Sequence, residues 1–516
     1  MNNNQIQHRL LSSQLPTPCY ILDEAKLKEN GRILKSVQDA TGCKILLAQK
    51  AFSNYNMYSV LAPYLAGTEA SGLYEARLGA EEMPSGECHV FCAAYREDEF
   101  KELLSYADHI VFNSPSQLKR FGKMAKEAGK EIGLRINPEC STQEGHAIYD
   151  PCAPGSRLGT TLAQWQEQMT PELTMLLDGI HFHTLCEQNS DALEQTLTAL
   201  EEKFAFILKQ VKWLNMGGGH HITRDDYDIE RLQQCIRHMQ TTYHLDIYLE
   251  PGEAVALNAG YLATTVLDIV KNGDTTIAIL DMSPACHTPD VIEMPYRPPL
   301  FSAGEAKEKA HTYRLAGPTC LAGDVVGDYS FDTPLQIGDV LLFEDMAIYS
   351  TCKNNTFNGM PLPSIWVARE SGENELIVRF GYEDFKRSDI TLNNQSIKQM
   401  SQLTDTLLAS IDYDVIAKRR RSNFIALDCE LEGLNKMNLR LDRDSIPMAY
   451  PYYAGDTTLK QAFIDKKVFI PTYWPNVATI SSADCIEKSF ALSLLPLPID
   501  QRVNETKLLE IIKNII

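Results

Sequence analysis

Six short strings hold residues able to do chemistry. LLAQKAF places Lys50 between an apolar run and an aromatic residue. An amine partly desolvated there can form a Schiff base, although a solvated lysine at a strand end has the same sequence surroundings. In NMGGGHH, Gly217, Gly218 and Gly219 follow an apolar run; consecutive glycines let backbone N–H groups approach a phosphate closely, and they also make plain turns. His181 and His183 flank Phe182, so at the period of a strand both imidazoles share one face, where one can stack on a ring or serve packing alone. Glu250 in LEPGE ends another apolar run, and a buried carboxylate needs a partner bearing a proton or positive charge, such as a pyridinium nitrogen. GPTCLAGD puts Cys320 and Asp324 on a glycine-bounded loop, and DMAIYS adds Tyr349. Cys320 reads as a reactive thiol or as a small buried hydrophobe.

Elements that could position these groups are legible in the periodicity. Eight short apolar runs recur with amphipathic helical stretches between them: KILLAQK, TEAS, HVFCA, HIVFN, EIGLRINP, DGIHFHT, VKWLNMGGG and DIYLEPG. Eight βα units predict an α/β fold, a (β/α)8 TIM barrel over residues 31–255. Such a barrel places its active site at the carboxyl ends of its strands, where Lys50, His183, the glycines and Glu250 fall. From 256 to 387 the runs alternate and are rich in β-branched residues, which predicts a β-rich second domain of antiparallel strands. PTPCYILD, within residues 1–30, predicts a strand crossing back to that domain. Residues 388–516 change again, to helical patterns at SIKQMSQLTDTLLASI, DYDVIAKRRRSNFIALDCELEGL, TTLKQAFIDKK and ETKLLEIIKNII. They predict a small α/β C-terminal domain, with the RRR of 419–421 on a solvated face.

Composition sets outer limits. The chain has 516 residues, beyond the span of a single hydrophobic core. Its formal net charge of −20, carried almost wholly by residues 1–387, argues against nucleic acid or anionic membrane and for cationic ligands. Thirteen cysteines without a C-x-x-C pair predict reduced thiols and no zinc site. No long apolar stretch and no leader pattern is present, so a cytoplasmic protein is expected.

Taken in order, these strings resemble the fold-III pyridoxal-phosphate decarboxylases, the alanine racemase-like group of the ornithine and diaminopimelate decarboxylases. The resemblance covers residues 16–387. HFHTLCE, NMGGGHH, LEPGEA, CHTPDVIEMPYRPP and GPTCLAGDVVGDY are most similar to its carboxynorspermidine and carboxyspermidine decarboxylase branch. It implies pyridoxal 5'-phosphate as cofactor, a carboxylated triamine as substrate, and a homodimer with shared active sites. It implies Lys50 as the covalent anchor and His183 stacked on the ring. Gly217, Gly218 and Gly219 would lie around the phosphate, and Glu250 at the ring nitrogen. Cys320, Asp324 and Tyr349 would come from the partner subunit, Cys320 as proton donor and Tyr349 at the phosphate. Glu69 and Glu75 match acidic positions near Lys50.

Two departures bear on the substrate. The wider group has Glu-Pro-Gly-Arg after the eighth strand, whereas Glu253 stands here in place of the Arg. An acid for a base suits a substrate with extra amines, which Glu253 and Asp290 would pair with; a solvated Glu253 is the plain alternative. Leu321 replaces the acid that follows the cysteine in the wider group, which disfavours a diaminopimelate decarboxylase or one for another basic amino acid. Arg297 in MPYRPP is a candidate contact for the substrate carboxylate. A non-catalytic cofactor-binding barrel would lack the β domain. AKRRRSNF, IPMAYPYY and VFIPTYWPNV resemble the small domain of fold-I, sugar aminotransferase-like enzymes, without the large domain that holds their cofactor.

Overall fold

The computed structural model describes residues 3–13, 15–143, 147–378, 411–466, 470–473, 477, 486–500, 509–510, 512–513 and 515. The chain divides into two compact units, Met1–Thr391 and Leu392–Ile516. The first opens with a helix, Asn3–Ser12, and a strand, β1 (Cys19–Asp23). Eight parallel strands then close into a barrel: β2 (Lys44–Ala48), β3 (Gly67–Ala70), β4 (Glu87–Phe91), β5 (His109–Phe112), β6 (Glu131–Arg135), β7 (Gly179–His181), β8 (Trp213–Asn215) and β9 (Asp246–Leu249). Each falls on one of the eight apolar runs. The helices between them start where the sequence supplies caps: Asp23 accepts from the Lys26 N–H, and Ser114 precedes Pro115 at the first helical position.

Large side chains fill the barrel interior. Leu46, Val111, Trp213 and Tyr248 form an inner cluster, and the indole of Trp213 explains a glycine in β7, since a Cβ on Gly179 would lie 1.9 Å from it. A polar plug closes the amino end of the strands. The rings of His89 and His109 stack at 3.9 Å between centroids and 12° between planes, beside Glu87, which is paired with Lys44. Two parallel ring planes cannot both aim an in-plane lone pair at one ion, so this arrangement is packing rather than coordination.

Seven further strands and β1 build one sheet: β10 (Gly260–Asn272), β11 (Thr275–Leu280), β12 (His311–Ala316), β13 (Val325–Phe331), β14 (Val340–Glu344), β15 (Ser364–Ala368) and β16 (Asn374–Val378). Their order is β13-β12-β11-β10-β1-β15-β16, with β14 also on β10. β1 sits between Ala263 on one side and Ser364 on the other, both opposite Cys19. The expectation of purely antiparallel pairing is corrected. β1 and β15 run parallel, and so do β11 and β12, the latter because the long connection over 281–310 gives the chain room to cross over instead of turning back.

In the second unit the helix Tyr413–Leu431 packs Phe424, Leu427 and Leu431 against a two-stranded antiparallel sheet of β17 (Ala449–Tyr453) and β18 (Leu494–Pro498). The solvated reading of RRR is corrected for two of its members. Arg420 donates to the Pro447 carbonyl at 3.4 Å, and Arg421 to the carbonyls of Asp442, at 2.8 Å, and Ser445, so both clamp an adjoining loop. The expected helix from 396 lies, up to residue 410, outside the described residues, and so does most of the one from 505.

Candidate active site

The carboxyl ends of the barrel strands surround a cavity of about 890 Å³, continuous with a narrower wing beside the glycines. Lys50, two residues past the end of β2, lines both parts, as do His183, Glu250 and Tyr349. The turn carrying Lys50 is fixed on both sides by backbone bonds, Ala48 N–H to the Pro251 carbonyl at 3.3 Å and Gln49 N–H to the Glu69 carbonyl at 3.1 Å. The amine is thereby tied to the loop that bears Glu250.

Glu250 is buried and accepts from Asn215 Nδ2 at 2.6 Å and from His181 Nε2 at 3.1 Å. Burial alone would push its carboxyl up, but His181, with His89 and Lys50 behind it, outweighs that and holds it down to about 2. Glu69 stands across the cavity with Oε2 unpartnered. Burial and the charge of Glu250 raise it to about 8, against the pull of Lys50. The site therefore holds one firmly ionised carboxylate and one that keeps its proton near neutrality. Glu75 is used elsewhere: its carboxylate accepts the Ser71 N–H at 2.6 Å, and it does not line the cavity.

His183 follows β7 and accepts from the Gly218 N–H at 3.0 Å through Nδ1. Burial, together with the charges of Lys50 and Arg135, pushes its pKa well down, so the ring is a neutral imidazole held at a fixed tilt. Each of the three glycines is required by its surroundings. Gly217 and Gly219 adopt φ of 67° and 81°, and a Cβ on either would lie 2.3 Å from the Phe182 carbonyl or 2.0 Å from that of Leu185. The expectation that all three present N–H groups to a phosphate is corrected. Gly217 donates to Asn215 Oδ1 at 2.9 Å and Gly218 to His183, which leaves Gly219 alone with a free N–H among the described residues.

Glu253 faces the same wing, where the opening turn of the short helix Glu253–Ala256 begins. Burial and neighbouring acids, Glu187 first and then Asp345 and Asp290, raise its carboxyl to about 8. Tyr149, Tyr296 and Tyr349 sit in the same field, and their hydroxyls are pushed up by burial and by these carboxylates. Glu187, Glu253, Tyr149 and Tyr349 line the cavity or its wing, and Asp290, Asp345 and Tyr296 stand behind them as a second layer of carboxyls and phenols. Glu187 and Asp345 escaped sequence reasoning. Glu187 lies four residues after His183 in HFHTLCE and takes φ of 53°, a backbone state the sequence does not advertise for a glutamate. Arg135, at the end of β6, was also missed; it stacks on Phe91 at 4.5 Å and donates to the His183 carbonyl at 3.1 Å.

Other expected residues stand apart. Tyr349 lines the cavity of its own chain, which corrects its assignment to a partner subunit; its N–H donates to the Ala51 carbonyl at 2.8 Å, next to Lys50. Asp324 is buried, accepting from Ser283 at 2.8 Å, the Ala285 N–H at 3.0 Å and the Thr319 hydroxyl at 2.6 Å. It shapes the GPTC loop, and its role as a substrate contact is corrected. Arg297 is also corrected: it pairs with Glu305 and stacks on Tyr329 at 4.5 Å, within the sheet. Cys320 is exposed at the tip of its loop, outside the cavity of its own chain.

An ionised carboxylate at Glu250, a free N–H at Gly219 and an amine at Lys50 thus surround one cavity. Comparison with known proteins points the same way. Residues 19–347 match the family of the pyridoxal-dependent decarboxylase, C-terminal sheet domain. The chain is 42% identical over 384 residues to a carboxyaminopropylagmatine decarboxylase of Synechocystis sp., covering 74% of this chain and 97% of that one. It is 40% identical over 383 residues to a carboxynorspermidine/carboxyspermidine decarboxylase of Campylobacter jejuni, covering 72% and 98%. A crystal structure of carboxynorspermidine decarboxylase complexed with norspermidine, from Campylobacter jejuni, superposes with a TM-score of 0.66 at 39% identity, over 72% of this chain and 100% of that one. Among the described residues no helix is long and apolar enough to cross a membrane. With barrel, sheet, anchored lysine and ionised carboxylate all in place, the chain belongs to the pyridoxal-dependent decarboxylases.

Proposed function

We propose that the chain decarboxylates a carboxylated triamine of the carboxynorspermidine and carboxyspermidine type, releasing CO2 and the triamine. The observation that carries this reading is the acid wall of Glu253 and Glu187 on the wing, backed by Asp345 and by Asp290 with its Lys353 partner, which offers cationic nitrogens a partner where the wider group has an arginine. The names of the relatives support the same substrate class. A diaminopimelate decarboxylase would have to bind a second carboxylate, and this rim would repel it.

Pyridoxal phosphate fits the residues present. Lys50 would hold it covalently, with Glu250 against the ring nitrogen, His183 against the ring face, and the Gly219 N–H with Tyr349 at the phosphate. When bound, the cofactor supplies an electron sink for the pair left behind as CO2 departs. The chain's own groups do the rest. Glu250, ionised and tied by His181 and Asn215, would accept a ring N–H without giving up its place. His183 cannot compete for a proton, because Nδ1 already accepts from Gly218. The departing CO2 must be replaced by a proton on the same carbon. Cys320 of the partner subunit is the donor in this reading, since its exposed loop tip suits a site shared between two copies of the chain in a homodimer. A cytoplasmic setting accords with twelve described cysteines that are all free thiols.

The test is CO2 release by the cofactor-loaded protein from carboxynorspermidine, carboxyspermidine and carboxyaminopropylagmatine, with diaminopimelate and ornithine beside them. Turnover of one of the first three, at least about a hundredfold above the last two, is expected. Preferential turnover of diaminopimelate would overturn the reading. The likeness of residues 388–516 to a fold-I small domain gives that unit no cofactor chemistry of its own, and we propose that it is an accessory domain.

A further inference from the structure

Lys353 lies one turn beyond Tyr349, its N–H donating to the Tyr349 carbonyl at 2.9 Å. Its ammonium sits 2.5 Å from Asp290 Oδ1 and 2.9 Å from Glu293 Oε2, and 5.9 Å from the centroid of the Tyr349 ring. That ring lines the active-site cavity. An alkyl chain ending in an ammonium, held by two carboxylates beside a phenol, is also the recognition chemistry that the tail of an aliphatic triamine requires. The protein displays this chemistry on itself, beside the acid wall, using a side chain that remains partly solvated.

We propose that Lys353 is a specificity-determining residue. Its ammonium occupies the place that the distal cation of the substrate takes, and it yields Asp290 to that cation on binding, keeping Glu293 for itself. The inference rests on the triamine reading above. In the empty site Lys353 keeps Asp290 from standing as an uncompensated charge beside Glu253. With substrate bound, the incoming nitrogen must break the Lys353–Asp290 pair, so Lys353 taxes binding and screens out tails that cannot replace it. A residue that merely propped Asp290 in position would act in the opposite direction, because its loss would weaken binding.

The test is the affinity of the cofactor-loaded protein for norspermidine, by calorimetry, in wild type, Lys353→Met, Lys353→Arg, Asp290→Asn and the Lys353→Met/Asp290→Asn double variant. A partly exposed pair is worth about 0.2 to 1 kcal/mol, so Lys353→Met should lower Kd by roughly 1.4- to 5-fold. Lys353→Arg should stay at the wild-type value, and the gain should vanish in the Asp290→Asn background. Unchanged or weaker binding by Lys353→Met, with wild type binding normally and cofactor absorbance intact, overturns the role of Lys353 and leaves the triamine reading standing. A gain that persists without Asp290 overturns it too. No binding of norspermidine by wild type overturns the triamine reading and this proposal with it.

Discussion

Replacing Glu253 with glutamine keeps the shape of the side chain and removes its charge, which makes it a direct probe of the acid wall. A cationic nitrogen needs the ionised carboxylate, yet burial and Glu187 keep the proton on Glu253 up to about 8. At pH 7 the proton must be expelled first, at a cost of about 1.4 kcal/mol for one unit of pKa. An ion pair at about 4 Å in a partly buried site gains at most about 4 kcal/mol. The difference, cut by desolvation of the amine, leaves about 1 to 2.5 kcal/mol, or roughly five- to seventyfold in affinity. Glu253→Gln should therefore weaken norspermidine by that factor at pH 7. The sign of the pH dependence follows. Wild-type affinity relative to the variant should rise as pH climbs from 6 toward 8 and level off above, because the ratio cancels the titration of the ligand. Calorimetry in two buffers of different ionisation enthalpy should find close to one more proton released by wild type than by the variant. Equal Kd values within twofold, with equal proton release, would show that Glu253 takes no part in holding a cation.

Other residues give further tests. Lys50→Ala should abolish both turnover and the visible absorbance of the bound cofactor, and a variant retaining either would remove Lys50 from its role. Glu250→Gln should lower kcat by at least about a hundredfold, as for loss of a preorganised charged group, while cofactor binding persists; a change below fivefold, read in steady-state kinetics, would count against it. Gly219→Ala forces an L side chain to φ of 81° with Cβ 2.0 Å from the Leu185 carbonyl, so the thermal midpoint should fall and cofactor affinity, measured by fluorescence quenching, should drop at least about tenfold. Cys320→Ser should lower kcat with little change in KM, and mixing it with Lys50→Ala should restore activity if two chains share each site.

The barrel was legible because parallel strands covered on both faces read as apolar runs, and because an active site at their carboxyl ends turns each run into a pointer. Lys50, His183 and Glu250 sit within two residues of a strand end, so their approximate positions followed from the strand positions alone. The rest depended on loops. Asp324 and Arg297 share strings with residues of the site, but their partners, Ser283 and Thr319 in one case and Glu305 and Tyr329 in the other, are supplied by segments distant in sequence. Glu187 reaches the wing of the cavity, and Asp345 the acids behind it, at positive φ values, which no pattern of hydrophobicity records. The parallel pairing of β11 with β12 was hidden for the same reason, since strand direction depends on where a connection runs and not on what the strand contains.

LEPGE holds the sharpest contrast in the molecule. Glu250 and Glu253 are three residues apart, both are largely buried, and their carboxyls are driven in opposite directions, one to about 2 and the other to about 8. Burial pushes both upward, so the divergence must come from the partners. Glu250 meets His181 and Asn215, and Glu253 meets Glu187, Asp345 and Asp290. The first is a charge already compensated, which in the proposed function would hold a proton on a ring nitrogen. The second keeps its proton up to about 8 among those acids, and the imidazole of His221, 4.0 Å away, is its one ion-pair neighbour among the described residues. A turn of Pro251 and Gly252 separates the two environments, with His181 and Asn215 around one carboxylate and acids around the other. Restoring the base of the wider group by Glu253→Arg would place a cation among three carboxyls, fill the charge deficit from within, and so should raise KM for triamines more than Glu253→Gln does. If the two variants behaved alike, the deficit would not be what selects the substrate.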